Sequence, residues 1–576
     1  MDDELRERIE RVAETNALFN ALKHDSDAQP GAIMGPMMGE YPEFREHGDT
    51  IPGVIAPVVE RVNEMDRAAQ RDRLDDLAPE RAAELDADED EDDPLGELPS
   101  ADSVENVRLR VAPNPNGPWH VGHARMAAVV GTYAERYDGS FICRFDDTDP
   151  ETKRPDLDAY DAILDAIDYL GFEPTEVIRA SDRLETYYEH ARRLIDRGGA
   201  YTCSCAGETF STLKNDAEPC PHREKAPETV HEEFDRMVAG EYSAGEMVLR
   251  VKTDIEHKNP ALRDWVAFRM IDRPHPRAAA AEYRCWPMLD FQSGIDDHLT
   301  GVTHIIRGID LQDSAKRQQF VYDYFEWEYP EVIHWGHVQV DAYDVDLSTS
   351  TIAGLIDAGE LDGWSDPRAP TIASLRRRGI RGEAIVAAMV ELGTSTSNVD
   401  LAMSSIYSAN RELIDDETDR RFLVRDGRAD GTGGAVEVPI EGVADAGRPP
   451  LHPDHEDRGR REIPVGDRVL IEERDRPPVG ERVWLKGLGC VRRTEAGFEG
   501  VEADTDVIYE ESVDVIHWVP AEDHREVRLR TPDGDLTGYA EPGLEAYDPD
   551  AMVQFERVGF ARIDATDPWV AYFAHR

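Results

Sequence analysis

Residues 110–123 read Arg-Val-Ala-Pro-Asn-Pro-Asn-Gly-Pro-Trp-His-Val-Gly-His, and this stretch constrains the fold more than any other. Val107, Leu109 and Val111 alternate with polar residues, the period-2 pattern of a strand. Pro113 and Pro115 stop that strand, because proline has no N–H to give to a ladder. From Ala124 to Tyr137 good helix formers follow, with Gly131 the only breaker. The reading is strand, Pro/Gly loop, helix, with His120 and His123 at the helix mouth. Gly122 lets a flat nucleobase or ribose approach the backbone, and a helix N-terminus favours negative charge. The pattern predicts a nucleotide site with two imidazoles poised at the phosphates.

The 576 residues suggest about four domains, and 40% hydrophobic content is ample for several packed cores. The outlier is charge: 120 acidic against 64 basic residues, a formal net charge of −56. Aromatic and aliphatic residues recur throughout, which excludes a disordered acidic chain. Lysine is scarce, arginine carries nearly all positive charge, and the acids are spread rather than gathered in a tail. That balance fits a salt-loaded, halophilic cytoplasm, where the Debye length falls to about 3 Å and acidic surfaces stop repelling polyanions. Six cysteines in so long a chain make no disulfide framework, so a reducing compartment is expected. Neither a secretory segment nor a membrane span is visible.

His120-Val121-Gly122-His123 resembles the HIGH signature of class I aminoacyl-tRNA synthetases. Arg144-Phe145-Asp146-Asp147-Thr148-Asp149-Pro150 resembles the second block of their glutamyl/glutaminyl subgroup. Arg263–Arg269 and Asp296–His304 match further blocks, and Leu347-Ser348-Thr349-Ser350 stands where the KMSKS signature falls. The resemblance is close over 104–415, and closest to the archaeal glutamyl type.

It implies an α/β chain: a Rossmann-like core at 104–200 and 286–345, split by an acceptor-stem domain at 201–285. The KMSKS-like loop and a helical stem-contact region would occupy 346–415, where Ile385, Met389 and Leu392 keep helical spacing. From 416 to 576, short β-rich runs such as Arg468–Ile471 and Glu481–Leu485 alternate with Gly, Pro and Asp turns. Antiparallel β-barrels are expected there, and in this family they read the anticodon. Residues 1–100 form a helical appendage, helix-like at 2–24 and 55–86, ending in an acidic linker at Asp86–Pro94.

The resemblance also assigns roles. Glutamate and ATP with Mg²⁺ would give an adenylate, and the acyl group would pass to tRNA(Glu), with tRNA(Gln) as the open alternative. Neither DNA nor a membrane is an expected partner. Pro113, Pro115, Gly117, His120, Gly122 and His123 would hold ATP, with Leu347, Ser348, Thr349 and Ser350 closing on the pyrophosphate side. The family's loop often carries a lysine where this chain has Thr351. His120 and His123 would act catalytically. Asp146 would take the α-ammonium of glutamate, and Arg110 and Arg307 one carboxylate each, since guanidinium grips carboxylate with two parallel bonds. Leu289 stands where relatives often place tyrosine.

Cys203, Cys205, Cys220 and His222 have the spacing of a small zinc knuckle. Arg376, Arg377, Arg378 and Arg381 form the densest basic cluster in an acidic chain, expected against the tRNA backbone. Asp149 and Arg307 separate the chain from glutaminyl relatives, which typically carry Asn at the first and no arginine at the second. A HIGH-type nucleotidyltransferase without tRNA would leave the inserted and C-terminal regions without purpose.

Overall fold

The computed structural model describes residues 3–23, 51–63, 65–79, 81–82, 93–340, 343, 347–427 and 433–576, with 28, 30, 33, 34, 37, 41 and 44. It divides into two units, 1–96 and 97–576. In the first, helices Asp3–Lys23, Pro52–Asn63 and Arg67–Leu77 share one core that includes Ile9, Ala13, Ala17, Ile55 and Val62. The helix-like span at 55–86 contains two helices among the described residues. Asp66 starts the second, its carboxylate accepting from Ala69 N–H at 2.8 Å, as an N-cap does. Most of the acidic linker expected at Asp86–Pro94 lies outside the described residues.

In the second unit, β1 (Arg108–Val111), β2 (Ser140–Phe145) and β3 (Glu176–Arg179) pair in parallel with β2 central. Parallel neighbours need crossovers, which helices Ala124–Arg136 and Leu157–Tyr169 supply. The chain then leaves for an antiparallel sheet of β4 (Ala200–Cys203), β5 (Val248–Val251), β6 (Val266–Met270) and β7 (Cys285–Pro287). Helices Gly207–Asn215 and Pro227–Val238 fill out this insertion. It returns as the parallel pair β8 (His304–Gly308) and β9 (Glu331–Trp335). β8 runs along the free edge of β1, tied where Thr303 N–H donates to Arg108 O at 2.9 Å. The carboxyl ends of β1, β2 and β8 therefore converge, where open α/β sheets hold ligands.

Beyond the core come helices Ile372–Arg378, Gly382–Glu391 and Met403–Ile414. A short strand, Val399–Leu401, interrupts this helical region and pairs with Val338–Val340. The C-terminal region holds two seven-stranded sheets. The chain enters one at Asp419–Arg425, builds the other from Ala435 to Pro520, and returns to the first at Arg525–His575. Each has its own core, around Val469, Val491 and Trp518 in one and Val527, Phe555 and Ala571 in the other. Among the described residues no helix is long and apolar enough to cross a membrane.

Candidate active site

The loop after β1 is tied to the segment after β2. Asp146 N–H donates to Pro113 O at 3.0 Å, Asp156 N–H to Pro115 O at 2.8 Å, and the Asn114 amide to Asp146 O at 2.8 Å. The prolines that end the strand thus keep their acceptors at work. His120 and His123 stack with ring centroids 3.7 Å apart. A Cβ on Gly122 would stand 3.2 Å from the His120 ring, so glycine makes room for the stack. Val121 N–H donates to Pro370 O at 2.8 Å and Ile372 N–H to Trp119 O at 3.1 Å, which staples the loop to the start of helix Ile372–Arg378.

Burial lowers His120 to about 4; burial, then the neighbouring His120, holds His123 well below the usual imidazole value. Both rings are neutral at physiological pH. His123 Nδ1 accepts from His120 N–H at 3.3 Å, which leaves its proton on Nε2. His120 Nδ1 is buried without a hydrogen-bond partner.

Across the cleft, Ser348 stands at the N-cap position of helix Thr349–Asp357, and the Ser348 and Ser350 hydroxyls lie 3.0 Å apart. A Cβ on Gly117 would overlap Thr349 Cγ2, and one on Gly122 would stand 3.6 Å from Leu347 Cδ1. Gly117 therefore lets the second loop pack against the first, while Leu347 comes only to ordinary contact distance of Gly122. Ser348, Thr349 and Ser350 line one cleft of about 640 Å³ together with His120, His123 and Asp146. Thr351, in the lysine's place, is exposed.

At the other end of the cleft Arg110 is not a free guanidinium. Its Nε and Nη2 donate to the two oxygens of buried Asp297, at 3.1 and 3.3 Å, which leaves Nη1 and the second Nη2 N–H for a substrate carboxylate. Arg144 donates to the same Asp297 at 2.6 Å, to Ser293 Oγ at 2.8 Å and to Asp146 Oδ1 at 2.8 Å. Burial works against the Asp297 charge, but Arg110 and Arg144 outweigh it and hold the carboxyl at about 2. Asp146 Oδ2 has no partner among the described residues. Arg307, 6% exposed, gives Nη2 to Gln318 and Tyr329 at 2.9 and 2.8 Å, while its Nε is buried and unpartnered. It is a dry cation with no carboxylate on it. Leu289 lines the same cleft.

Sequence reasoning missed Asp297, Ser293, Gln318 and Tyr329. Asp297 sits inside a recognised block, but nothing local says which arginine it meets. Asp147, by contrast, is an anchor: Tyr160 OH, Ser181 N–H and Ser181 Oγ all donate to it at 2.7 Å.

The basic cluster requires a correction. Arg378 is fully buried, donating to Phe573 O, Ala574 O, Tyr343 OH and Tyr407 OH. Arg377 forms a two-bond pair with Asp564 and lies over the Tyr572 ring. These two tie helix Ile372–Arg378 to the last strands of the chain, and burial takes Arg378 out of reach of a nucleic acid. Arg376 and Arg381 stay exposed, near Asp165 and Glu417.

The four soft ligands do converge. Cys203 and Cys205 Sγ lie 3.5 and 3.4 Å from Cys220 Sγ, and His222 Nδ1 lies 3.4 Å from both Cys205 and Cys220. Zn–S bonds of about 2.3 Å in a tetrahedron need edges only slightly longer, so the donor set fits zinc. A second grouping, Asp416, His452 and His455, is a turn clasp: His452 already bonds Asp415 O and Asp454 N–H, both at 3.1 Å.

The family described as "tRNA synthetases class I (E and Q), catalytic domain" matches residues 106–416. Two "anti-codon binding domain" families of the same group match 419–510 and 515–564. A "Glutamate--tRNA ligase" of Haloarcula marismortui is 72% identical, and one of Natronomonas pharaonis 70% identical, each over 100% of both chains. Among solved structures, a glutamate tRNA ligase from Elizabethkingia meningosepticum in complex with its amino acid is 18% identical. It has a TM-score of 0.37 and covers 54% of this chain and 70% of its own.

Proposed function

The chain belongs to the class I tRNA synthetases of the glutamate and glutamine group, and from that premise we propose that it is a glutamate–tRNA ligase. It activates glutamate with ATP and transfers the glutamyl group to the 3′ end of tRNA(Glu), as a cytoplasmic enzyme of translation. The observation that carries this reading is the single cleft holding two stacked, half-buried imidazoles at one end and the under-partnered Arg307 at the other.

In the first step a glutamate carboxylate oxygen forms a bond to the α-phosphorus of ATP, and the bond to the β-phosphate oxygen breaks, releasing pyrophosphate. No covalent bond to the protein forms, so the enzyme positions the reactants and stabilises charge. His120 and His123 donate hydrogen bonds to phosphate oxygens as negative charge builds there. Ser348, Thr349 and Ser350 add hydroxyl and backbone donors on the pyrophosphate side. Asp146 Oδ2 takes the α-ammonium; Arg307 Nε and Arg110 Nη1 take the carboxylates. Bound with ATP, Mg²⁺ would supply on the pyrophosphate side the positive charge that Thr351 lacks. In the second step the terminal ribose hydroxyl attacks the acyl carbon and AMP leaves. Arg376 and Arg381 remain candidates for the tRNA backbone. Cys203, Cys205, Cys220 and His222 would hold a structural Zn²⁺, outside both steps.

Charging purified tRNA(Glu) and tRNA(Gln) with labelled glutamate or glutamine in molar KCl tests the reading. Glutamate on tRNA(Glu) is expected, and glutamate on tRNA(Gln) would mark a non-discriminating enzyme. Glutamine transfer, or no tRNA-dependent transfer of either amino acid, would overturn it.

A further inference from the structure

Arg307 brings a dry positive charge to the cleft, and the group that holds it there carries none. Its Nη2 donates to Gln318 Oε1 at 2.9 Å and to Tyr329 OH at 2.8 Å, and Tyr329 OH donates in turn to Gln318 Oε1 at 2.7 Å. Arg307 stands on β8, Gln318 on helix Gln312–Phe325 and Tyr329 just before β9, so three parts of the core close one hydrogen-bonded ring. Gln318 is 1% exposed, and its Nε2 is buried without a partner while its oxygen accepts twice. The amide cannot be turned round, because its NH₂ would then face the guanidinium donor against donor. A buried donor left idle costs stability, and here that cost accompanies an oxygen aimed at Arg307.

The neutrality of that amide matters because of the charges beside it. At this end of the cleft three buried guanidiniums, Arg110, Arg144 and Arg307, meet two carboxylates, Asp146 and Asp297. Arg110 and Arg144 engage both acids, and Arg307 is left with the uncharged ring. Burial raises the Tyr329 phenol above its usual value, so that partner stays neutral as well. Burial, with Arg110 adding to it, draws the Arg307 guanidinium below its usual value, as expected of a cation without a counter-ion. One positive charge is therefore in surplus. Glutamate, with two carboxylates and one ammonium, carries one net negative charge; glutamine, a zwitterion, carries none.

We propose that Gln318 is a specificity-determining positioning residue: a neutral acceptor that fixes the Arg307 guanidinium without discharging it, which leaves that charge for an acidic side chain of the substrate. The proposal rests on the function given above and deepens it. Gln318 does not line the cleft, so it acts through Arg307 and not by touching the amino acid. An apolar side chain at 318 would leave Nη2 with Tyr329 alone and the guanidinium less firmly aimed. A carboxylate of the same shape would hold Nη2 equally well and cancel the surplus charge. Only a neutral acceptor holds the guanidinium and leaves its charge for the substrate.

The test compares full-length wild type, Gln318→Glu and Gln318→Met in steady-state aminoacylation in molar KCl, with glutamate as substrate and glutamine as competing inhibitor. Gln318→Glu keeps the size and the acceptor and adds a charge. KM for glutamate should rise about a hundredfold, within the range for close buried charge pairs, with KM for ATP and tRNA unchanged. Inhibition by glutamine should hold or tighten, so the preference between the two amino acids collapses. Gln318→Met is similar in size and neutral but offers Arg307 no comparable acceptor, and KM for glutamate should rise only about fivefold, the scale of one hydrogen bond. A packing role would leave Gln318→Glu, the closer match in shape, less affected than Gln318→Met, and that order would overturn the proposal. So would equal weakening of glutamate and glutamine in Gln318→Glu. If circular dichroism shows the charged variant unfolded, Gln318→Met decides, and an unchanged glutamate KM there overturns the proposal. Failure of the wild type to charge any tRNA with glutamate would instead sink the underlying function.

Discussion

Arg110 and Asp297, 187 positions apart in the chain, meet through two side-by-side hydrogen bonds of 3.1 and 3.3 Å. The same carboxylate takes a third bond, from Arg144 at 2.6 Å. One buried acid therefore holds both the arginine that lines the cleft and the arginine that carries Asp146. Without it two guanidiniums would face each other in a dry site.

Asp297→Asn keeps the shape and removes the charge. Breaking a buried pair from one side costs about 3–5 kcal/mol, and thermal unfolding should register a loss of that order. In the protein that remains folded, KM for glutamate should rise at least tenfold with KM for ATP little changed. An unchanged glutamate KM would confine Asp297 to structure.

His120→Ala or His123→Ala should slow adenylate formation by about 10²–10³-fold, the effect of losing one transition-state donor. Because burial lowers His120 from 6.5 to about 4, the exchange rate should be flat in pH through the neutral range. Between those two values the unfolded chain binds the extra proton. His120's share of stability is thus complete above 6.5 and lost as pH falls toward 4. A rate limb near 6.5 that vanishes in His120→Ala would contradict the lowered imidazole value of His120.

Arg307→Cys should cut glutamate use several hundred-fold or more, on the scale of a lost buried ion pair, and glutamine use far less. The ratio is the observable, since a folding defect would depress both together. Equal losses would place Arg307 on the α-carboxylate common to both amino acids.

Zinc should be present at one ion per chain and lost in Cys203→Ser and His222→Ala, with local unfolding around residues 200–225 seen by hydrogen exchange. Carefully purified protein without zinc would leave the three thiols and the His222 imidazole as a metal-free cluster.

Folding should require high salt, because 120 acidic side chains repel one another when unscreened. Circular dichroism in dilute buffer should show lost structure that molar KCl restores. An unchanged spectrum and full activity at roughly 0.1 M salt would contradict the halophilic reading.

The order of amino acids by itself determined the strand–loop–helix around His120 and His123, the family, and the β-rich C-terminal third. Each rests on local signals: a period, a breaker, a cap, or residues a few positions apart. The helix split at Asp66 was in principle legible too, since Asp is a strong N-cap. Which arginine is free, however, was decided by the tertiary structure alone. Arg110 and Arg307 look alike in sequence, yet one meets Asp297 and the other keeps an unpartnered Nε. Arg376–Arg378 read as one basic patch until the last strands fold back and bury Arg378 among their carbonyls. A guanidinium's job depends on the burial and charge around it, and for Arg110 and Arg378 these are set by residues more than a hundred positions away, Asp297 and the carbonyls of Phe573 and Ala574.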